Sequence, residues 1–179
     1  MESYKDFARV YDEFMDQTPY DEWLLNILNV FKEYKIKKAA QVLDLGCGTG
    51  KMSRRLAREG YQVTAVDNSM DMLEIAASEE DDHIYMYCRI CVIRLPHQVD
   101  AAVSICDCMN YILEEEDLKE AFRRVREFLK EDGVFIFDMN SHYKYKEILA
   151  CNTFAEDRED ASFIWDNSMM KKIGSMNIS

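Results

Sequence analysis

The sequence predicts an α/β fold, a doubly wound, mostly parallel sheet in a three-layer α/β/α sandwich, with an N-terminal helical cap and an incomplete C-terminal hairpin. Three observations predict it. Strand-like and helix-like segments alternate between residues 41 and 140. The strand-like segments are near-continuous runs of Val, Ile, Leu and Phe, the pattern of strands covered on both faces. The first of them ends in three glycines at alternate positions, "DLGCGTG" from Asp44 to Gly50, just before a helix-like stretch.

The elements follow in order. Tyr4, Phe7, Ala8, Tyr11, Phe14 and Met15 recur at helical spacing. Thr18 is placed to cap the next helix, and Pro19 suits a first helical position. Trp23, Leu24, Ile27, Leu28 and Phe31 form its apolar stripe. "QVLDLG" (41–46) reads as the first strand. Residues 51–59 read as a helix on Met52, Leu56 and Ala57, stopped by Gly60. "YQVTAVD" (61–67) is the second strand, and Ser69 caps a helix carrying Met72, Leu73 and Ala76. A third strand lies within residues 83–93 and a fourth within 99–106. Leu118, Ala121, Phe122, Val125 and Leu129 stripe a further helix. Lys130–Gly133 is expected to turn the chain into a fifth strand, "VFIFDM" (134–139). "DNSMMKKIGSMNIS" shows no period.

In an open parallel sheet, ligands bind beyond the C-terminal ends of the strands, where the strand order reverses. "DLGCGTG" stands there, and its glycines permit positive φ and close backbone approach. Asp67, at the end of the second strand and about 20 residues further on, is placed to accept hydrogen bonds from both hydroxyls of a ribose. Loop and acid together point to an adenosine-type ligand. A dinucleotide favours G-x-G-x-x-G, but the spacing here is Gly46-x-Gly48-x-Gly50, with Lys51 where the third glycine would be. Asp44 precedes the loop and Asp107 follows the fourth strand. Carboxylates there repel a pyrophosphate and suit a ligand ammonium, so a cationic ligand with a ribose, such as S-adenosylmethionine, fits better. The Walker pattern is absent.

Composition narrows the partners. The 179 residues carry a formal net charge of −12, and the basic clusters, Lys35/Lys37/Lys38 and Arg54/Arg55/Arg58, are small. A nucleic-acid partner is therefore not expected. No apolar stretch reaches the roughly 20 residues needed to span a bilayer. The charged N-terminus lacks the apolar core of a secretory signal, so a cytoplasmic location with reduced thiols is expected for the six cysteines.

The stretches "VLDLGCGTG", "VTAVDNSMDML", "VDAAVSICDCMNYI" and "LKEDGVFIFDMNS" resemble the class I S-adenosylmethionine-dependent methyltransferases. The N-terminal "YKDFARVYDEFM…PYDEW" resembles a subgroup of small bacterial enzymes of that Rossmann-like fold. The resemblance implies one domain over 1–179: a helical cap (1–38), a cofactor-binding core (39–140) and a partial C-terminal, lid-like region (141–179). It implies that Gly46, Cys47 and Gly48 meet the methionyl part of S-adenosylmethionine, that Asp44 holds its ammonium and that Asp67 takes the ribose hydroxyls. Asn68 and Met72 would border the adenine, Tyr11 would close over the cofactor, and Asp107 and Tyr111 would line the path to the methyl group. Ordinary core packing is the alternative for both tyrosines. Two departures stand out. The family usually places an acid and then an apolar residue at the end of the third strand; here the pair is Arg89-Ile90. An Arg cannot accept the hydrogen bond of an adenine amino group, whereas Ile90 can pack on the ring. The family sheet also ends in an antiparallel hairpin, which "NTFAEDREDASFIWDN" resembles at its beginning. The expectation is a C-terminally truncated member whose open strand edge favours a homodimer.

The expected activity is methyl transfer to a small-molecule acceptor. A non-catalytic cofactor-binding or dimerising remnant is the alternative, and an NAD-dependent oxidoreductase is disfavoured by Lys51. A zinc site from Cys88, Cys91, Cys106 and Cys108 fails because the third and fourth strands should lie three spacings apart, about 14 Å. Of His83, His97 and His142, only His142 falls near the expected rim, as a substrate-lining candidate. No base is named, since positioning supplies much of the catalysis of such a transfer.

Overall fold

The computed structural model describes residues 11–78, 81–88, 95, 97–158 and 162–167. Its contacts divide the chain into two compact units, Met1–Asp138 and Met139–Ser179.

In the first unit, residues 11–14 are helical. There follow α1 (Tyr20–Glu33), β1 (Gln41–Leu45), α2 (Lys51–Arg58), β2 (Gln62–Asp67), α3 (Met70–Ala77), β3 (Ile84–Cys88) and β4 (Val99–Ser104). A 3-10 turn (Cys108–Tyr111), α4 (Glu115–Phe128) and β5 (Leu129–Phe137) complete it. The five strands form one sheet in the order β3-β2-β1-β4-β5, all neighbours parallel. The order reverses between β1 and β4, which makes the end of β1 the switch point.

Because successive strand residues face opposite ways, the inner strands contribute to two cores. Val42, Val63, Ala65, Ala101 and Val103 pack with Ile27 and Phe31 of α1, Met52 and Leu56 of α2, and Leu73 of α3. Leu43, Leu45, Val66, Val99 and Ala102 pack on the other face with Val125 of α4 and Leu129. The expected three-layer α/β/α arrangement is therefore the observed one.

Local signals held in part. Ser69 caps α3, its hydroxyl accepting from Met72 N at 3.3 Å. Thr18 does not cap α1. Its hydroxyl is directed to Met15 Sδ, and Pro19 occupies the cap position without a side-chain bond. The strand expected over 134–139 begins earlier and ends earlier. Leu129 already pairs with Val99, and an irregularity carries the chain on to Val134 opposite Ala101. Burial of Leu129 in the second core draws it into the sheet although no turn separates it from α4. Of the segment 83–93, Ile84–Cys88 forms β3, and Arg89, Ile90 and Cys91 lie outside the described residues.

In the second unit, Lys144–Leu149 forms a π turn, and β6 (Thr153–Asp157) and β7 (Ser162–Asp166) form an antiparallel hairpin. The sequence predicts only the beginning of a hairpin ending the main sheet; residues 152–167 instead hold two paired strands that form a two-stranded sheet of their own.

Candidate cofactor site

The switch point puts the C-terminal ends of β1, β2 and β4 side by side. Asp44, the fourth residue of β1, is only 1% exposed. Its Oδ2 accepts from the buried Ser53 hydroxyl of α2 at 2.5 Å. Burial pushes the Asp44 carboxyl up to about 6, against the lowering effect of the Ser53 bond and with the raising effect of the Asp67 charge.

Beyond β1 the chain turns through Gly46 (φ +72°), Gly48 (φ +54°) and Gly50 (φ +80°). Gly46 N and Cys47 N both donate to Val66 O, at 2.8 and 3.1 Å, which fastens the turn to β2. The two glycines serve different ends. A Cβ on Gly46 would lie 2.4 Å from Cys108 Sγ, so that position closes against the protein. A Cβ on Gly48 would meet nothing within 4 Å, so that position faces open space.

Asp67, at the end of β2, ties the loop to the next helix. Its Oδ2 accepts from Gly48 N and its Oδ1 from Ser69 N, each at 2.8 Å. An ionised carboxylate has about four acceptor positions. Two are engaged here, and two are left for a vicinal pair of hydroxyls. Asn68 is exposed beside it and Met72 is buried in the first turn of α3.

Lys51 does not project into a phosphate site. Its ammonium meets Asp12 O at 3.1 Å and Asp12 Oδ1 at 3.4 Å, and lies 5.7 Å from the centre of the Tyr20 ring. Asp12 also accepts from the buried Thr49 hydroxyl at 2.7 Å. The residue standing in place of the third glycine thus anchors the N-terminal segment to the loop. Tyr11, next along, hydrogen-bonds Cys106 Sγ at 3.8 Å.

The rim beyond β4 is built differently. Cys106 and Asp107 both adopt φ 64°, uncommon for residues other than glycine. Asp138, just past β5, accepts from Cys106 N at 3.2 Å and Asp107 N at 3.1 Å. Cys108 Sγ donates to Gly46 O at 3.3 Å. Tyr111 is 75% exposed. Burial raises the Cys47 and Cys108 thiols and the Tyr11 and Tyr20 phenols well above their ordinary values, so all four are protonated at neutral pH. Reactive thiolates need the opposite environment.

The sequence-predicted residues Tyr11, Asp44, Gly46, Cys47, Gly48, Asp67, Asn68, Met72, Asp107 and Tyr111 all lie in the first unit. Ile90 lies outside the described residues, and His142 belongs to the second unit. Sequence reasoning missed Asp12, Ser53, Cys108 and Asp138. For Asp138 the signal was available, since it ends an apolar run as Asp67 does. The strand order leaves β2 and β1 between Cys88 and Cys106, the separation on which the zinc argument rested. Two open grooves of about 370 and 400 Å³, lined in part by Tyr34 and by β5, lie away from the glycine loop.

Carboxylates along the strand ends, two spare acceptors on Asp67 and open space at Gly48 suit a ligand that joins a diol to a cationic group. The chain matches a family model described as a methyltransferase domain over residues 42–133. It is 38% identical over 167 residues to a protein of Geobacillus sp. (strain WCH70) that carries a methyltransferase name, covering 91% of this chain and 68% of that one. It is 38% identical over 168 residues to one of Bacillus subtilis (strain 168), also carrying a methyltransferase name, covering 92% of this chain and 66% of the relative. The chain thus spans about two thirds of the length of these relatives. A crystal structure of an S-adenosylmethionine-dependent methyltransferase from Clostridium acetobutylicum superposes with a TM-score of 0.77 at 31% identity, covering 94% of this chain and 70% of that one.

Proposed function

The chain belongs to the class I S-adenosylmethionine-dependent methyltransferases, and we propose that it methylates a small-molecule acceptor at the rim beyond β4. S-adenosylmethionine, when bound, supplies a methyl group on a sulfonium for in-line displacement by an acceptor atom. The observation that carries the site assignment is the Asp67 carboxylate. It is oriented by Gly48 N and Ser69 N at 2.8 Å and retains two acceptor positions beside the open face of Gly48.

In this reading Asp67 holds the ribose hydroxyls. Asp44, ionised above about pH 6, faces the ligand ammonium. The backbone of Gly46, Cys47 and Gly48 cradles the methionyl part. Met72 and Asn68 border the adenine, together with Ile90. Tyr11 closes over the site, pinned between Cys106 and, through Asp12, the glycine loop. Asp107 and Tyr111 line the acceptor side, with His142 as a further candidate. Their work is to orient two reactants and exclude water, which supplies much of the rate of such a transfer.

The proposal treats 1–179 as one methyltransferase-like domain: cap 1–38, core 39–140 and lid-like region 141–179. It includes a cytoplasmic setting, in keeping with free cysteines at 47, 88, 106, 108 and 151. Among the described residues no helix is long and apolar enough to cross a membrane. The proposal also includes a homodimer, since β5 stands at the edge of the sheet. Sedimentation as a monomer at every concentration would remove that last element.

Calorimetric titration with S-adenosylmethionine, S-adenosylhomocysteine and NAD tests the central assignment. Binding of the first two and not NAD is expected, and binding of NAD alone would overturn it. Binding without transfer to any acceptor in a screen of small nucleophiles would leave a cofactor-binding protein and not an enzyme.

A further inference from the structure

After Ser104 the chain leaves β4 and must bring Asp107 to the rim while returning Cys108 toward the glycine loop. It does so through two consecutive non-glycine residues with φ 64°. Backbone in that region persists only where its surroundings hold it, and such residues cluster at functional sites. Among the groups that hold it here is one carboxylate that bonds both residues. Asp138 Oδ2 accepts from Cys106 N at 3.2 Å and Oδ1 from Asp107 N at 3.1 Å. The two bonded residues lead to both sides of the site. Cys106 meets Tyr11 of the N-terminal segment, and the next residue after Asp107, Cys108, donates to Gly46 O.

We infer that Asp138 is a positioning residue of the cofactor site, its two carboxylate oxygens holding the Cys106–Asp107 turn so that Asp107 and Tyr11 face the glycine loop. The inference rests on the methyltransferase reading of that loop. Both oxygens are required. An asparagine offers one acceptor oxygen and presents its amide NH2, a donor, to the second N–H, and an alanine offers none. Burial raises the Asp138 carboxyl above its ordinary value, with the Asp107 charge adding to the rise, while the bonds from Cys106 N and Asp107 N act against it. The two N–H bonds thus favour the ionised carboxylate against the effect of burial.

The test compares wild type, Asp138→Asn and Asp138→Ala in the full chain, with S-adenosylhomocysteine as the calorimetric probe. Loss of one charged hydrogen bond predicts an affinity about tenfold weaker for Asp138→Asn, and weaker again for Asp138→Ala. In the ligand-free ¹⁵N-labelled protein, the amide resonances of Cys106 and Asp107 should move in Asp138→Asn while the melting temperature changes little. Unmoved amides would show that the clamp does not exist. Moved amides with unchanged affinity would show that it holds the turn without positioning the site. Affinity falling only in step with melting temperature would mark a purely structural residue. Should Asp138→Ala fail to fold, the near-isosteric Asp138→Asn decides the matter alone. Failure of the wild type to bind would sink the underlying reading, and is distinguished because no variant is needed to see it.

Discussion

At the ends of β1 and β2 the acids proposed to hold the cofactor are themselves held by neighbours in the chain. Asp44 is bonded by Ser53, nine residues away, and Asp67 by Ser69, two away, and by Gly48, nineteen away. Beyond β4 the bonds are long-range. Asp138 reaches back 32 residues to Cys106, Cys108 reaches 62 to Gly46, and Tyr11 meets Cys106 across 95. The first region is specified by one strand-turn-helix unit and the next strand. The second is half-exposed and exists only once β4 and β5 pair. A cofactor common to a family can be held by the first kind of structure. The proposed acceptor side lies on the second, where changing one long-range contact leaves the sheet intact.

The sharpest way to break this contrast is Asp44→Asn. A carboxyl raised from 3.8 to about 6 favours the folded state in its protonated form. Its contribution is fully present below about pH 4 and is lost as pH rises to about 6, amounting to about 3 kcal/mol. The ligand-free variant should therefore be the more stable protein at pH 7.5, and should lack this pH dependence in urea titrations from pH 4 to 8. It should also bind S-adenosylmethionine at least tenfold more weakly, having lost the charge proposed to face the ammonium. Superposable stability curves would show that Asp44 is not the strained, ligand-directed acid described.

A middle-sized effect separates two glycines of the same loop. Gly46→Ala places a Cβ 2.4 Å from Cys108 Sγ at φ +72°, and should cost about 2–3 kcal/mol. Gly48→Ala meets nothing and should cost about 1 kcal/mol from its positive φ alone. Affinity for S-adenosylhomocysteine should reverse the order, because the Cβ of Gly48→Ala points into open space that the ligand would occupy. Cys108→Ala should recover part of the Gly46→Ala loss and none of the Gly48→Ala loss. Equal costs for the two glycines in thermal melts would remove the link between loop and rim.

The smallest effect is expected at the exposed end of the second region. Tyr111→Ala should change stability by no more than about 0.5 kcal/mol and leave S-adenosylhomocysteine affinity as it is. Its consequence should appear in the KM for a methyl acceptor alone. A clear fall in melting temperature would mean that the rim is packed and not open.

Much of this was legible beforehand because its causes are local. The Ser69 cap, the stop at Gly60 and the positive φ of the alternate glycines follow from what those side chains permit. The double cover of the inner strands was written in their unbroken apolar runs. Thr18 misled because a cap depends on where its hydroxyl finally points, and Met15 and the Pro19 geometry settled that. The start of β5 misled because Lys130–Gly133 reads as a turn, whereas burial of Leu129 against Val99 and Val125 begins the strand before it. Asp12, Asp138 and the contact of Cys108 with the glycine loop escaped notice because each partners a residue far away in the chain.

Periodicity, glycine spacing and the acids ending the first two strands were enough to specify a parallel α/β sheet and the chemistry of its ligand, since backbone sterics and burial act over a few residues. Which side chains converge on the far rim, which glycine faces protein and which faces open space, and that Lys51 anchors Asp12 were settled only in the assembled fold. Contacts across tens of residues are properties of the assembled sheet, and no short stretch of the chain contains them.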